Sequence, residues 1–318
     1  MKYIFIADIH IKLGQKNVPK EWQRNRVLQL AKELNKENAD GVIIGGDLLD
    51  VAKPSGEELA LMFEFLALLK GEKLLIPGNH EMLTKTKDCF EPWRKALQEY
   101  VNCDLINKFE TRTIGNTKID FIPYNVIRQE FTRHSDFAVT HVRGEIPPHV
   151  KPEVDLDIFS GYEKVFTGDL HSFTNCQLNL LYPGSPFTTS FHRSVSTGSN
   201  GYFFIDMDSG THKWVELYLP QLIRLTVDDV EKIQATDYHH TIYDLEGDLR
   251  EVGAVAKTEL LDKKVVTNAV EPPKLDLKNT TMKEELVLFL EKIKGITEVE
   301  DIVSLFTSLG VSNENNNS

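Results

Sequence analysis

The sequence predicts an α/β protein with two packed β-sheets flanked by helices, followed by a small α/β second domain and a C-terminal helix pair. Three observations predict it. Apolar β-rich runs alternate with helix-period stretches from the first residues; the runs become denser in strands from Lys118; and the character of the chain changes near Pro220. Alternation favours a central, partly parallel sheet with helices on its face, and the later surplus of strands needs a second sheet packed on the first.

The opening run, Tyr3-Ile4-Phe5-Ile6, is too short and too β-rich for a signal peptide and reads as a first strand. Val27, Leu30, Ala31 and Leu34 then recur at the spacing of one helix face. Val42-Ile43-Ile44, a helix from about Glu57 to Lys70 and Leu74-Leu75-Ile76 complete a β-α-β-α-β opening. That second helix is apolar on more than one face (Leu59, Met62, Phe63, Phe65, Leu66, Leu69), as a fully buried helix or a homodimer seam would be. Ile119 to Ile122, Phe137 to Val139, Val165-Phe166, Leu178 to Tyr182, Tyr202 to Ile205 and Trp214 to Tyr218 supply the later strands. A first domain therefore spans residues 1–219.

Residues 220–270 carry mixed patterns and many charges with no chemical motif, and read as a small domain. Glu271-Pro272-Pro273 begins a stiff linker over 271–280. Residues 281–310 hold two short amphipathic helices. Thr281-Met282-Lys283-Glu284 and Thr297-Glu298-Val299-Glu300 are capping-box starts, with Gly295 and Gly310 as stops. Their stripes, Met282, Leu286, Phe289 and Ile293, then Val299, Ile302, Val303 and Phe306, belong to helices too short to stand alone, so they must bury against something. The Asn-rich end, 311–318, reads as a disordered tail.

The composition, 41% hydrophobic and 26% charged, is that of a soluble globular protein. No apolar run approaches the roughly 18 residues of a membrane span. Cys89, Cys103 and Cys176 have no metal-type spacing, and a reducing cytoplasm is the expected setting. The formal charge of −12 argues against a free-standing nucleic-acid binder, although bound cations would cancel part of it.

Five motifs follow apolar β-like runs in order: Asp8-Ile9-His10, Gly46-Asp47-Leu48-Leu49-Asp50, Gly78-Asn79-His80-Glu81, Thr140-His141 and Gly168-Asp169-Leu170-His171. Loops after parallel strands converge on one rim, and glycines before Asp47, Asn79 and Asp169 suit sharp strand exits. Alone, each motif is weak: Asp47 after two glycines could be a helix cap, and Gly-Asn-His a turn. Together, carboxylates, imidazoles and an amide oxygen form a mixed donor set suited to borderline divalent ions such as Mn²⁺, Fe²⁺ or Zn²⁺. There are enough donors for two ions about 3.5–4 Å apart, with one carboxylate bridging.

These motifs resemble those of the calcineurin-like metallophosphoesterases, and three features narrow the resemblance to the SbcD-type nucleases, the catalytic subunits of SbcCD and MRN complexes. Phe5 to His10 is similar to their opening motif. Tyr182-Pro183-Gly184-Ser185-Pro186, followed by Ser190-Phe191, is similar to the element after their last metal motif, and a small domain and helix pair follow in their order. The resemblance implies that Asp8, His10, Asp47 and His171 hold one metal, and that Asn79, His141 and Asp169 hold the second with Asp47 bridging. Two divalent ions, Mn²⁺ first with Mg²⁺, Fe²⁺ or Zn²⁺ as options, would activate the attacking water. His80 would face the scissile phosphate as a cation or as the acid for the leaving 3′-oxygen, with Asp50 orienting it. Asp169 departs from the family's Gly-His-x-His, adding a negative charge and a harder oxygen.

The implied activity is a Mn-dependent DNA nuclease, a 3′–5′ exonuclease on duplex ends, an endonuclease on single strands or hairpins, or both. The small domain would cap the site and bind DNA, the helix pair would grip an SbcC-type coiled-coil P-loop ATPase, and the enzyme would be a homodimer acting in end processing, recombination and repair, without membrane attachment. The alternative is a phosphatase or cyclic-nucleotide phosphodiesterase on the same scaffold. Protein phosphatases of this superfamily place Arg-Gly after the second motif's Asp, whereas Val51-Ala52 follows Asp50 here. His192-Arg193 could touch phosphate or be plain loop, and His134 and His149 read as surface residues.

Overall fold

The computed structural model describes residues 1–191, 200–227, 238–245, 261–262, 281–292 and 299–308. The linker, the tail, Gly295, the start of the second capping box and His192-Arg193 lie outside them. Two compact units are present, one running to Asp244 and including Leu261-Asp262, the other holding the C-terminal helices.

In the first unit, β1 (Lys2–Ile6), β2 (Gly41–Gly45), β3 (Glu72–Ile76) and β4 (Cys103–Leu105) run parallel. β10 (Gly201–Asp206) and β11 (Thr211–Glu216) extend this sheet antiparallel on the far side of β1, in the order β11-β10-β1-β2-β3-β4. A second sheet has the order β5-β6-β7-β8-β9. Its β6 (Thr117–Ile122), β7 (Phe137–His141), β8 (Lys164–Gly168) and β9 (Leu180–Leu181) are parallel, and β5 (Glu110–Ile114) is an antiparallel edge. A small third sheet joins β12 (Leu222–Val227), β13 (His240–Leu245) and β14 (Leu261–Asp262).

Strand periodicity divides the core, because alternate side chains leave opposite faces. From β1, Tyr3 and Phe5 enter the cluster between the sheets, where they meet Ile119, Phe121, Val139 and Phe166. Ile4 and Ile6 enter the cluster beneath α1 (Lys20–Leu34) and α2 (Gly56–Leu68). The outer face of the second sheet is covered by Phe159, Tyr162 and Tyr182. Near-continuous apolar strands thus mean burial on both faces.

Val27, Leu30, Ala31 and Leu34 are the buried stripe of α1. In α2 the buried face is Leu61, Met62, Phe65 and Leu66, while Leu59 and Phe63 are only partly buried against it. Ser55 and Glu58 close a capping box at its start. The sequence reading missed α3 (Arg94–Val101), β4 and β5. The first two are short, and β5 is a polar edge strand with no apolar alternation to detect. Leu178 to Tyr182 contracts to the two-residue β9.

The second unit contains helices Met282–Lys292 and Val299–Ser308, packed on each other. Glu284 accepts from the Thr281 N–H at 2.7 Å, completing the expected box. No described helix is long and apolar enough to cross a membrane.

Candidate metal centre

Each motif residue sits at or just beyond the carboxyl end of a parallel strand: Asp8 and His10 after β1, Asp47 and Asp50 after β2, Asn79 and His80 after β3, His141 at the end of β7, Asp169 and His171 after β8. The backbone turns sharply there. Asp8, His10, Asp47 and Asp169 all adopt positive φ, at 57°, 50°, 51° and 94°. For residues other than glycine this costs about 1–3 kcal/mol each, so it persists only where surrounding bonds enforce it. They do: Asp8 N–H donates to Gly46 O at 3.1 Å, His10 N–H to Asp47 O at 2.9 Å, and Ile11 N–H to Leu48 O at 2.8 Å, carrying β1–β2 pairing past the strands. Gly46, at φ 92°, is required twice over, because a Cβ would fall 2.4 Å from His141 Nδ1.

The side chains converge. His10 Nε2 lies 3.1 Å from His171 Nε2 and 3.6 Å from Asp47 Oδ2. His141 Nε2 lies 3.4 Å from Asp47 Oδ2 and 3.9 Å from Asp169 Oδ1. Asp8, His10 and His171 form one compact group of potential ligand atoms, Asp8, Asp47 and His141 another, and His10, Asp47 and His80 a third. Asp8, His10 and Asp47 each belong to two of them. Asp8, Asp47 and His141 are buried, whereas His80 and His171 are exposed at the mouth.

Two observations fit cations at this place. The Asn79 amide oxygen faces His141 Nε2 at 2.9 Å, and the Asp47 carboxylate lies beside it, so lone pairs face lone pairs unless the amide is turned over to donate to both. His141 Nδ1–H donates to the Gly45 carbonyl at 2.9 Å, which leaves the Nε2 lone pair aimed at the same point. Divalent ions bind such donors at about 2.0–2.2 Å, so two donors on one ion lie up to roughly 4 Å apart, the separations found here. Burial drives the Asp8 carboxyl up to about 6. At Asp47 burial acts the same way, but His141 and its neighbours outweigh it and hold that carboxyl below its ordinary range. Burial also opposes charge on His141, yet Asp47 raises that imidazole well above its usual value, so a proton and a metal ion compete for the same Nε2 lone pair.

His80 and Asp50 differ from expectation in detail. His80 Nδ1–H donates to the main-chain carbonyl of Asp50 at 2.7 Å, so the peptide, not the carboxylate, orients the ring. The carboxylate turns instead to Lys12 at 2.5 Å and lies 3.4 Å from His10 Nδ1. The reason is geometric: Ile11 pairs with Leu49 and accepts from Asp50 N–H at 3.2 Å, which sets His10 and Lys12 beside the Asp50 loop.

Several supporting residues were not assigned from sequence. Glu81 is fully buried and accepts from the N–H groups of Asp47 at 3.0 Å, Leu49 at 2.8 Å and Gly78 at 2.7 Å, tying two ligand loops together. Its acidic presence directly after Asn79-His80 was the available signal. Ser185 Oγ donates to Asp8 O at 2.7 Å and Tyr182 Oη to Val142 O at 3.0 Å, so the Tyr182–Pro186 element props two more loops. Arg143 grips Asp169, and nothing local announced it.

Residues 1–171 match the family described as calcineurin-like phosphoesterase. Over 311 residues, 94% of this chain and 94% of that protein, the sequence is 42% identical to "Probable exonuclease subunit 1" of Escherichia phage T5. It is 22% identical over 264 residues to the D subunit of the nuclease SbcCD of Staphylococcus saprophyticus, covering 69% of each chain. The protein of the same name from Staphylococcus epidermidis is 25% identical over 134 residues, 41% of this chain and 36% of that one.

Proposed function

From the premise that this chain belongs to the calcineurin-like phosphoesterases and is a hydrolytic enzyme, we propose that it is a Mn²⁺-dependent DNA nuclease, the catalytic subunit of a complex with a coiled-coil P-loop ATPase. The observation that carries the reading is the convergence of Asp8, His10, Asp47, His141 and His171 at the carboxyl ends of both sheets, with Asn79 2.9 Å and Asp169 3.9 Å from His141 Nε2. The 42% relative is named an exonuclease subunit and the more distant ones nuclease subunits, which supports a phosphodiester in nucleic acid as the bond cut.

In this reading Asp8, His10, Asp47 and His171 hold one ion, and Asp47, Asn79, His141 and Asp169 the other. When bound, the pair supplies Lewis acidity at the phosphate and lowers the pKa of water. The chain's own contribution is to hold these donors rigid and to present His80 at the open mouth, 41% exposed, with its ring oriented by the Asp50 carbonyl. Nδ1–H stays on that carbonyl, so Nε2 is the atom that carries a proton toward a leaving oxygen. The C-terminal helix pair is the proposed ATPase handle. Phe289, Ile302 and Leu305 remain 52%, 37% and 63% exposed on it, which supports a surface awaiting cover.

The test is cleavage of duplex, single-stranded and hairpin DNA with Mn²⁺, beside a phosphomonoester and a cyclic nucleotide. DNA cutting that EDTA abolishes is expected. Release of phosphate from the monoester, with DNA untouched whether or not the ATPase is added, would move the assignment to a phosphatase.

A further inference from the structure

Asp169 stands where the resembling nucleases carry a histidine, and the structure supplies it with a partner. Arg143 Nε donates to Asp169 Oδ2 at 3.0 Å and Nη2 to Oδ1 at 3.3 Å, a two-pronged pair. The nearer prong holds Oδ2, and Oδ1, held less closely, is the oxygen that lies 3.9 Å from His141 Nε2. The carboxylate therefore spans from the guanidinium to the donor cluster. Its main-chain N–H is fixed as well, donating to the Asp8 carboxylate at 3.0 and 3.2 Å. The other nearby acid, Glu153, accepts from the Arg143 main-chain N–H at 3.2 Å through Oε1, while its Oε2 is held by Arg128 at 2.7 Å and by the Tyr124 hydroxyl at 2.8 Å, so the two-pronged contact of the guanidinium is with Asp169. The Asp169 side chain is 6% exposed and that of Arg143 43%, so the carboxylate is enclosed while the cation keeps a solvent side.

We infer that Arg143 and Asp169 act as one charge-neutral ligand unit, with Arg143 the positioning residue that lets a carboxylate occupy an imidazole's place. This rests on the reading of Asp169 as a donor to the second ion. The physical need is plain. A ligand set with one extra carboxylate binds a divalent ion more tightly but leaves it less able to polarise phosphate or water. A guanidinium on the far side of that carboxylate offsets the added negative charge.

The test is calorimetric titration of Mn²⁺ into the EDTA-stripped full-length protein, resolving two sites, with a melting curve for each variant. Arg143→Gln, at a half-exposed side chain, should tighten the weaker site at least about tenfold, as removal of a cation some ångströms from a divalent ion requires. Arg143→Lys, which keeps the charge, should stay within about threefold of the parent by the same reasoning. Asp169→His should weaken that site, and Arg143→Gln added to it should restore affinity. Unchanged or weaker Mn²⁺ binding in Arg143→Gln would overturn the inference. Asp169→Ala separates the premise: it should abolish binding at one site, and retention of both sites there would remove the ligand reading of Asp169 itself.

Discussion

His80 is the imidazole at the mouth whose Nδ1 is spent on a peptide carbonyl, 2.7 Å away, and whose nearest carboxylate oxygen, Asp47 Oδ2, is 3.9 Å from Nε2. A ring so held can turn over protons without surrendering its orientation. Under the proposed function, His80→Ala should keep both metals and lose about 10²–10⁴-fold in turnover, the range for a general acid. Metal content by mass spectrometry, set beside the rate, separates the roles, and a variant that sheds metal would make His80 a ligand. At this scale most of the candidate donors were legible in the sequence, because a side chain's donor chemistry is its own and the preceding β-run says which end of a strand it occupies. The partners of those donors were not. Glu81 binds loops that start after β2 and β3, and Arg143 meets a residue 26 positions away.

Among the elements, α2 was ambiguous in sequence because its apolar residues exceed one stripe. The fold resolves part of this by burying Leu61, Met62, Phe65 and Leu66 against the first sheet and leaving Leu68 41% exposed. Phe65→Ala should therefore cost about 3–5 kcal/mol in urea unfolding, as a fully buried aromatic does. Ser55→Ala should cost about 1 kcal/mol, since Ser55 Oγ accepts from Glu58 N–H at 3.2 Å and Glu58 accepts in return. Equal losses in the two variants would mean that packing does not dominate this helix. Glu58 also accepts from Leu13 N–H at 2.8 Å, so the cap reaches the loop that leaves the site residues of β1.

The whole molecule divides into a unit that carries every candidate donor and a unit that holds the C-terminal helices. Under the proposed function, removal of residues 281–318 should leave a folded protein that still binds two Mn²⁺, read by melting and calorimetry. Under the proposed function it should also fail to co-purify with the ATPase. A truncation that unfolds, or that retains the ATPase at full affinity, would remove the helix pair as a handle. The long-range character of the first unit, with β10 returning to pair beside β1, places the chain's later strands at the foundation of the site.

What the sequence determined by itself is the class of fold, through its strand and helix periods, and the chemical type of the centre, through five short motifs that each end a strand. Those signals are local, written within a few residues of one another. What only the tertiary structure decided is how the loops are braced: the carbonyl that orients His80, the Lys12 and His10 that claim the Asp50 carboxylate, the triple cradle of Glu81, and the arginine that grips Asp169. All of these bonds except that from Gly78 to Glu81 join loops from different strands, and strand order in a sheet follows from burial of whole faces rather than from any short run of residues.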